Sequence, residues 1–432
     1  MLLSLLACTG APDPVVPVPE PLPDIVLVVI DTLRADHLGF MGHERPTSPN
    51  LDAWAAKGTV YTHAISHSGW TLPSTATLLT GRLPHEHGAI SLPSSELGRL
   101  VETSFGRLKP EMETLAEVAS SLGYATAGFV NNTFLREELG LGDGFETYDY
   151  ANASQVSHRS AEDTVEQALS WWEAQQKPRF LWVHVMEPHM DYMPPAPYAG
   201  TFAGDGEPPL VLPLTEEDRT ALLQNTLELN DEQKSWLQKV YDEEILATDA
   251  ALKPLLSATE GAVVAVTSDH GEEFWDHGDF EHGHSLHWEL LNVPMVLVGP
   301  GVGAQRLTMP SSHIDLHAAL LRAMRGEPTQ TPLPDGRSFV VEDCVHTNPQ
   351  TGIVGPDARL FINLDNQQAS LWRFEGGQEL PWTDEQARDA TAEPLFNELM
   401  RVRGSLERAS GEGIGLDDED RERLRLLGYL DE

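Results

Sequence analysis

Ile25-Val26-Leu27-Val28-Val29-Ile30-Asp31 is an unbroken apolar, mostly β-branched run closed by a carboxylate. A strand with one wet face alternates apolar and polar residues. A run without alternation must be covered on both faces, as strands inside parallel sheets are. Similar runs recur at Ala125 to Val130, Phe180 to Met186, Ala262 to Thr267 and Val293 to Val298. Helical patterns separate them. Leu115, Val118, Ala119 and Leu122 follow a Thr114/Glu117 capping box and stop at Gly123; Val165, Ala168, Leu169 and Trp172 follow Ser160; Leu237, Tyr241, Ile245, Thr248 and Leu252 form a longer stripe. This alternation predicts an α/β fold, a mostly parallel sheet sandwiched by helices.

In such sheets ligands bind beyond the carboxyl ends of the strands. The polar residues that close the runs are therefore candidates: Asp31, then Asn131 and Asn132, then Glu187 and His189, then Asp269 and His270. From about residue 331 the texture changes. Strand-like pieces around Phe339, Leu360 and Leu371 predict a small β-containing subdomain over 331–383, followed by an acidic helical tail over 384–432. The main domain is expected over 24–330.

The 28 Lys plus Arg against 67 Asp plus Glu give a formal charge of -39. Such a surface repels nucleic acid and anionic lipid, so no nucleic-acid partner is expected. Cys8 and Cys344 alone form no disulfide framework. Residues 1–8, ending Leu5-Leu6-Ala7-Cys8, resemble a bacterial lipobox, and the six prolines of residues 9–23 read as a spacer between anchor and domain. The expected location is the bacterial cell envelope, facing the periplasm or exterior, with membrane contact only through a lipid anchor.

Thr71 lies in Gly69-Trp70-Thr71-Leu72-Pro73-Ser74-Thr75, with Gly81 after Leu78-Leu79-Thr80. Pro in the first turn and Gly past the last place Thr71 at a helix N-terminus. There it either caps the helix or serves as a nucleophile where backbone N–H groups favour an anion. A Thr hydroxyl is a weak nucleophile near neutral pH, and a metal held by Asp31, Asp269 and His270 would activate it.

Val29-Ile30-Asp31-Thr32-Leu33-Arg34, Thr47-Ser48-Pro49-Asn50, Leu78-Leu79-Thr80-Gly81-Arg82, His87-Gly88 and Ser268-Asp269-His270-Gly271-Glu272 resemble the sulfatase family of the alkaline phosphatase superfamily. The resemblance runs in family order from about residue 24 to 340. It implies an alkaline phosphatase-like fold, a divalent metal ion and an anionic ester as substrate. The family's formylglycine arises from Cys or Ser, which Thr71 replaces, so no formylglycine is expected. Thr75 stands in place of the family's arginine, and Val130-Asn131-Asn132-Thr133 in place of a segment that carries two cations.

The resemblance assigns Asp31, Thr71, Asp269 and His270 to the metal. Thr32 and His270 depart from the Asp and Asn of calcium-binding members, and imidazole in the shell favours Zn or Mn, with Ca as the alternative. His189 and His284 match positions that contact or protonate the ester, whereas Asn131, His184 and Glu187 are expected to bind substrate. His184, His277 and His282 are read equally as ligands of a second metal or as loop histidines. The implied reaction is in-line attack by Thr71 on sulfur or phosphorus, then hydrolysis of the esterified Thr. Alternatives are a phosphoglycerol- or phosphoethanolamine-type transferase and a non-catalytic binding protein on the same scaffold.

Overall fold

The computed structural model describes residues 22–92, 104–151 and 159–407, except 177, 205, 330–333, 348, 376–377 and 383–384, together with 413–414. Cys8, all but the last two residues of the Pro-rich stretch, and the tail beyond 414 lie outside the described residues.

The main sheet contains β1 (Ile25–Ile30), β2 (Thr59–Ile65), β3 (Ala125–Asn131), β4 (Thr147–Ala151), β5 (Arg179–Val185), β6 (Val263–Ser268), β7 (Asn292–Val298) and β8 (Gln305–Leu307). Their order is β8-β2-β7-β6-β1-β5-β3-β4, and the short Ser311–Ser312 strand also pairs with β2. β1 pairs in parallel with β5 on one side and β6 on the other, with Ile30 opposite Val185 and Ser268. That register brings the ends of three strands, and hence Asp31, His184 and Asp269, to one edge. β7 runs antiparallel to both β6 and β2.

The unbroken run of β1 is buried on both faces, as its composition requires. Ile25, Leu27 and Val29 join one core with Leu72, Ala76, Leu115, Leu316 and Leu320, whereas Val26, Val28 and Ile30 join another with Leu51, Val165, Leu237 and Ile245. The first face is covered by α2 (Thr71–Thr80), α3 (Leu115–Ser121) and α7 (His313–Met324), and the second by α1 (Pro49–Ala55), α4 (Ala161–Ala174) and α6 (Asp231–Ala258). The capping residues read from sequence act as such: Thr114 accepts from Glu117 N, and Ser160 from Asp163 N. α5 (Glu216–Leu223) lies between α4 and α6 in sequence. Among the described residues no helix is long and apolar enough to cross a membrane.

The C-terminal subdomain is a five-stranded antiparallel sheet of β9 (Phe339–Glu342), β10 (Gln350–Val354), β11 (Ala358–Asn363), β12 (Ala369–Glu375) and β13 (Gln378–Pro381), followed by α8 (Glu385–Arg403). Asp343 and Glu379 are among the residues that tie it to the main domain. Asp343 accepts hydrogen bonds from Trp70 Nε1 at 3.2 Å, Ser91 N at 2.8 Å and Ser91 Oγ at 2.6 Å. Glu379 accepts from His287 Nδ1 at 2.7 Å, and the His287 ring stacks on His277 at 3.8 Å.

His277 in turn lies 2.7 Å from Glu289, which, against the cost of burial, raises its pKa to about 9. A raised folded-state pKa means the contribution is complete below the ordinary His value and fades as pH climbs through 9. Thermal melts from pH 6 to 10 are therefore expected to show a loss of stability that His277→Gln removes. An unchanged pH dependence in that variant would contradict the assignment.

Candidate active site

α2 begins where the chain leaves the extended residue Trp70. Trp70 is the N-cap and makes no side-chain cap, and Gly81, at φ 64°, closes the helix in the left-handed conformation. Thr71 is thus the first helical residue and does not cap. Its fully buried Oγ1 lies 3.3 Å from His270 Nε2 and accepts from Asn132 Nδ2 at 3.3 Å. The capping alternative is excluded by these partners, because the hydroxyl is directed at side chains rather than at the orphan N–H groups of the helix.

Asp31, Asp269 and His270 converge beside it, each fully buried. His270 Nε2 is 3.6 Å from Asp31 Oδ1 and 3.6 Å from Asp269 Oδ2, and both of those oxygens lack a hydrogen-bond partner. His270 Nδ1 donates to Gly271 O at 2.8 Å, which leaves the lone pair of Nε2 facing the carboxylates. Gly271 is required there: a Cβ would lie 1.9 Å from the Glu289 carbonyl. Burial lowers the His270 pKa, so the ring is neutral, and burial together with the Asp269 charge raises that of Asp31. Buried carboxylate oxygens without partners, facing a neutral imidazole lone pair, fit a divalent cation.

The sequence placed the strand ends correctly but not every side chain. Asn131, expected at the substrate, is turned away: its Nδ2 donates to Thr164 Oγ1 and His184 O, both at 2.8 Å, and its Oδ1 accepts from Arg159. Asn132 occupies the site instead. Its Nδ2 donates to Asp31 Oδ2 at 2.7 Å as well as to Thr71, while Oδ1 accepts from Phe134 N and fixes the amide. Successive residues at a strand end face opposite ways, which is why one of the adjacent pair is at the site and the other is structural. Asn132→Ala is expected to lower kcat by ~10²-fold, as for loss of an oriented donor. Asn131→Ala should instead lower stability by about 1–3 kcal/mol through the polar groups it strands, as kinetics and melts of the two variants will distinguish.

Glu187, also expected at the substrate, accepts through Oε1 from Ala161 N at the start of α4. His284, expected at the ester, has Nε2 2.8 Å from Glu273 Oε2, and Glu273 raises its pKa despite burial. Arg34 pairs with Asp36 and Asp276, and His87 holds α2 through Thr77 and Pro73.

His189 is near the cluster. Burial pushes its pKa down to about 3; Nδ1 donates to Met190 O at 2.6 Å, and Nε2 has no partner. Its ring meets that of His282 at 4.9 Å, and His282 in turn lies 4.5 Å from His270. His282 Nδ1 is 2.7 Å from Glu272 Oε1, and Tyr192 donates to the other oxygen of Glu272. The row of histidines thus runs from Thr71 through His270 and His282 to His189. Arg219, which no motif marked, is buried near this row, and its Nε and Nη2 each lie 2.8 Å from Glu281. Nothing in the residues around it signals a buried charge.

Comparisons with known proteins agree with this fold. A family model described as Sulfatase matches residues 23–326. The Ulvan-active sulfatase of Formosa agariphila is 25% identical over 382 residues, which cover 77% of this chain and 67% of that protein. Human arylsulfatase A is 42% identical over 104 residues, 24% of this chain, and the match spans only 19% of its length. Among solved structures, the phosphonate monoester hydrolase of Agrobacterium radiobacter superposes with a TM-score of 0.67 at 16% identity, covering 89% of this chain and 96% of that one.

Proposed function

The chain belongs to the sulfatase family, and from that premise we propose that it is a metal-dependent hydrolase of sulfate or phosphonate esters with Thr71 as nucleophile. The observation that carries this reading is Thr71 Oγ1 at a helix N-terminus, 3.3 Å from both His270 Nε2 and Asn132 Nδ2, in one pocket with two buried carboxylates. A divalent cation bound by Asp31, Asp269 and His270 supplies Lewis acidity at the hydroxyl and the ester.

The protein's own residues do the rest. Asn132 holds the hydroxyl oxygen and the Asp31 carboxylate in register, and the first turn of α2 offers N–H groups to the ester oxygens. The Thr71 oxygen bonds to sulfur or phosphorus as the bond to the ester oxygen breaks, and the proton given up by Thr71 ends on the departing alcohol. Water then displaces the group from Thr71: its oxygen bonds to sulfur or phosphorus, one of its protons restores the Thr71 hydroxyl, and the other leaves with the released acid.

Charge favours a substrate class. Asp31 and Asp269 balance a divalent cation, and burial keeps His189, His270 and His282 neutral. A pocket with no surplus positive charge suits a monoanion, such as a sulfate ester, phosphonate monoester or phosphodiester, better than a phosphate monoester dianion. p-Nitrophenyl sulfate, p-nitrophenyl phenylphosphonate and bis-p-nitrophenyl phosphate should therefore include a substrate with kcat/KM at least ~10-fold above that for p-nitrophenyl phosphate. Preference for the dianion would overturn the charge argument, and no turnover of any ester with Zn or Mn would favour a binding protein. The lipobox-like Leu5-Leu6-Ala7-Cys8 supports a lipid-anchored place at the cell envelope as part of this proposal.

A further inference from the structure

Trp70 directly precedes Thr71, and its side chain is fully buried. A buried indole N–H needs an acceptor. The acceptor comes from the C-terminal subdomain: Nε1 donates to Asp343 Oδ2 at 3.2 Å. The Trp70 ring also meets Phe134 edge-on, with centroids 5.2 Å apart at 83°. Phe134 N is the donor that fixes the Asn132 amide, and Asn132 Nδ2 reaches the Thr71 hydroxyl. Trp70 therefore bears on Thr71 twice, through the backbone on one side and through Phe134 and Asn132 on the other.

Asp343 is itself held. Its φ of 74° lies in the left-handed region that residues other than glycine seldom occupy, and such residues cluster at functional sites. Its N–H donates to Gln350 O at 2.9 Å, and its carboxylate also accepts from the N–H and the hydroxyl of Ser91. The chain around it runs along the lead-in to α2. Glu342 N donates to His67 O at 2.9 Å, His67 Nδ1 to Val340 O at 2.6 Å, and Ser68 Oγ to Asp343 O at 3.3 Å. Val345 N and His346 N donate to Gly283 O at 2.8 and 3.0 Å, and Gly283 N donates to Gly69 O at 3.0 Å. Residues 340–346 thus hold the segment before Thr71 directly, and again through the loop that carries His282 and His284.

We propose that Asp343 is a positioning residue for the nucleophile, its hydrogen bond to Trp70 setting where Thr71 Oγ1 stands relative to Asn132 and His270. The role rests on Thr71 as nucleophile, as proposed above. Asp343 acts through Trp70 and not on the ester. The cation's donors Asp31, Asp269 and His270 follow β1 and β6, so loss of the bond is expected to move the hydroxyl and leave those donors in place. In-line attack is sensitive to such a shift, because a misplacement of ~1 Å costs ~10²-fold in rate.

The test measures the attack step alone. The Zn2+-loaded full chain, in saturating excess, is mixed with whichever of p-nitrophenyl sulfate, p-nitrophenyl phenylphosphonate and bis-p-nitrophenyl phosphate it hydrolyses fastest. The single-turnover rate constant of p-nitrophenol release then reports attack by Thr71 and is independent of the fraction of protein that is active. Trp70→Phe keeps the ring and deletes the N–H, and is expected to lower this rate constant ~10- to 10²-fold with Zn2+ affinity within ~2-fold of the parent. Asp343→Ala should do the same, and the double variant no more than either. Asp343→Asn, whose amide oxygen still accepts from Trp70, should stay within ~3-fold of the parent. Where Asp343→Ala melts below the assay temperature, Trp70→Phe and Asp343→Asn carry the comparison. A parental rate constant in Trp70→Phe, a fall in amplitude alone, or additive losses in the double variant overturns the role of Asp343 while Thr71→Ala, inactive in the same assay, keeps the nucleophile in place. Turnover by Thr71→Ala, or none by the parent on any of the three esters, overturns the reading on which that role rests.

Discussion

Thr71→Ala is expected to reduce turnover of the accepted ester by at least ~10³-fold, about 4 kcal/mol of transition-state stabilisation. The effect is large because, on the proposed mechanism, the substitution removes the attacking atom. Ser74 Oγ donates to the carbonyls of Trp70 and Thr71 and so points elsewhere. The fold should tolerate the change: Thr71 is not the helix N-cap, and alanine is a better helix former. Thr71→Ser keeps the oxygen and is expected to recover activity to within ~10-fold of the parent. Turnover by Thr71→Ala near the parental level, with melting unaltered, would remove Thr71 from the chemistry.

Removing the metal is expected to lower stability as well as activity. An ion present at ~1,000 times its dissociation constant stabilises the folded state by about 4 kcal/mol. Here the loss has a pH signature. Burial and the Asp269 charge raise the Asp31 pKa in the protein without its ion, so the penalty is absent below the ordinary aspartate value and grows as pH rises above it. The bound ion cancels that penalty. The gap in Tm between metal-loaded and chelated protein should therefore widen from pH 5 to pH 8, and calorimetry at the two values measures it. A gap that is constant or narrows with pH would mean that the carboxylates do not share an ion.

The sequence revealed the sheet through its buried strands and revealed the site through what ends them. β1, β3, β5, β6 and β7 are each apolar enough to be read directly. β2 was not, because Thr59-Val60-Tyr61-Thr62-His63-Ala64-Ile65 is half polar and lies toward the sheet's edge beside the short β8. The reversed direction of β7 was also hidden, since strand composition carries no arrow. At the site, loop positions were legible and rotation was not. Asp31, Asp269 and His270 were placed correctly by strand ends, but Asn131 and Asn132 exchange roles through the pleat. His284 was read from its correspondence to a family lysine, and the Glu273 that captures it lies eleven residues earlier across a hairpin. His184 was grouped with the loop after β5, whereas it lies within the strand.

The family model ends at residue 326, yet Asp343 holds Trp70, the residue before Thr71, from beyond that limit. The stretch the family model spans and the stretch that positions Thr71 therefore differ in length. A fragment cut at residue 326 would keep Asp31, Thr71, Asp269 and His270 and lose the strut that holds the start of α2. A change in the C-terminal sheet of this chain can therefore reach Thr71 through Asp343 and Trp70 without touching the residues around Thr71.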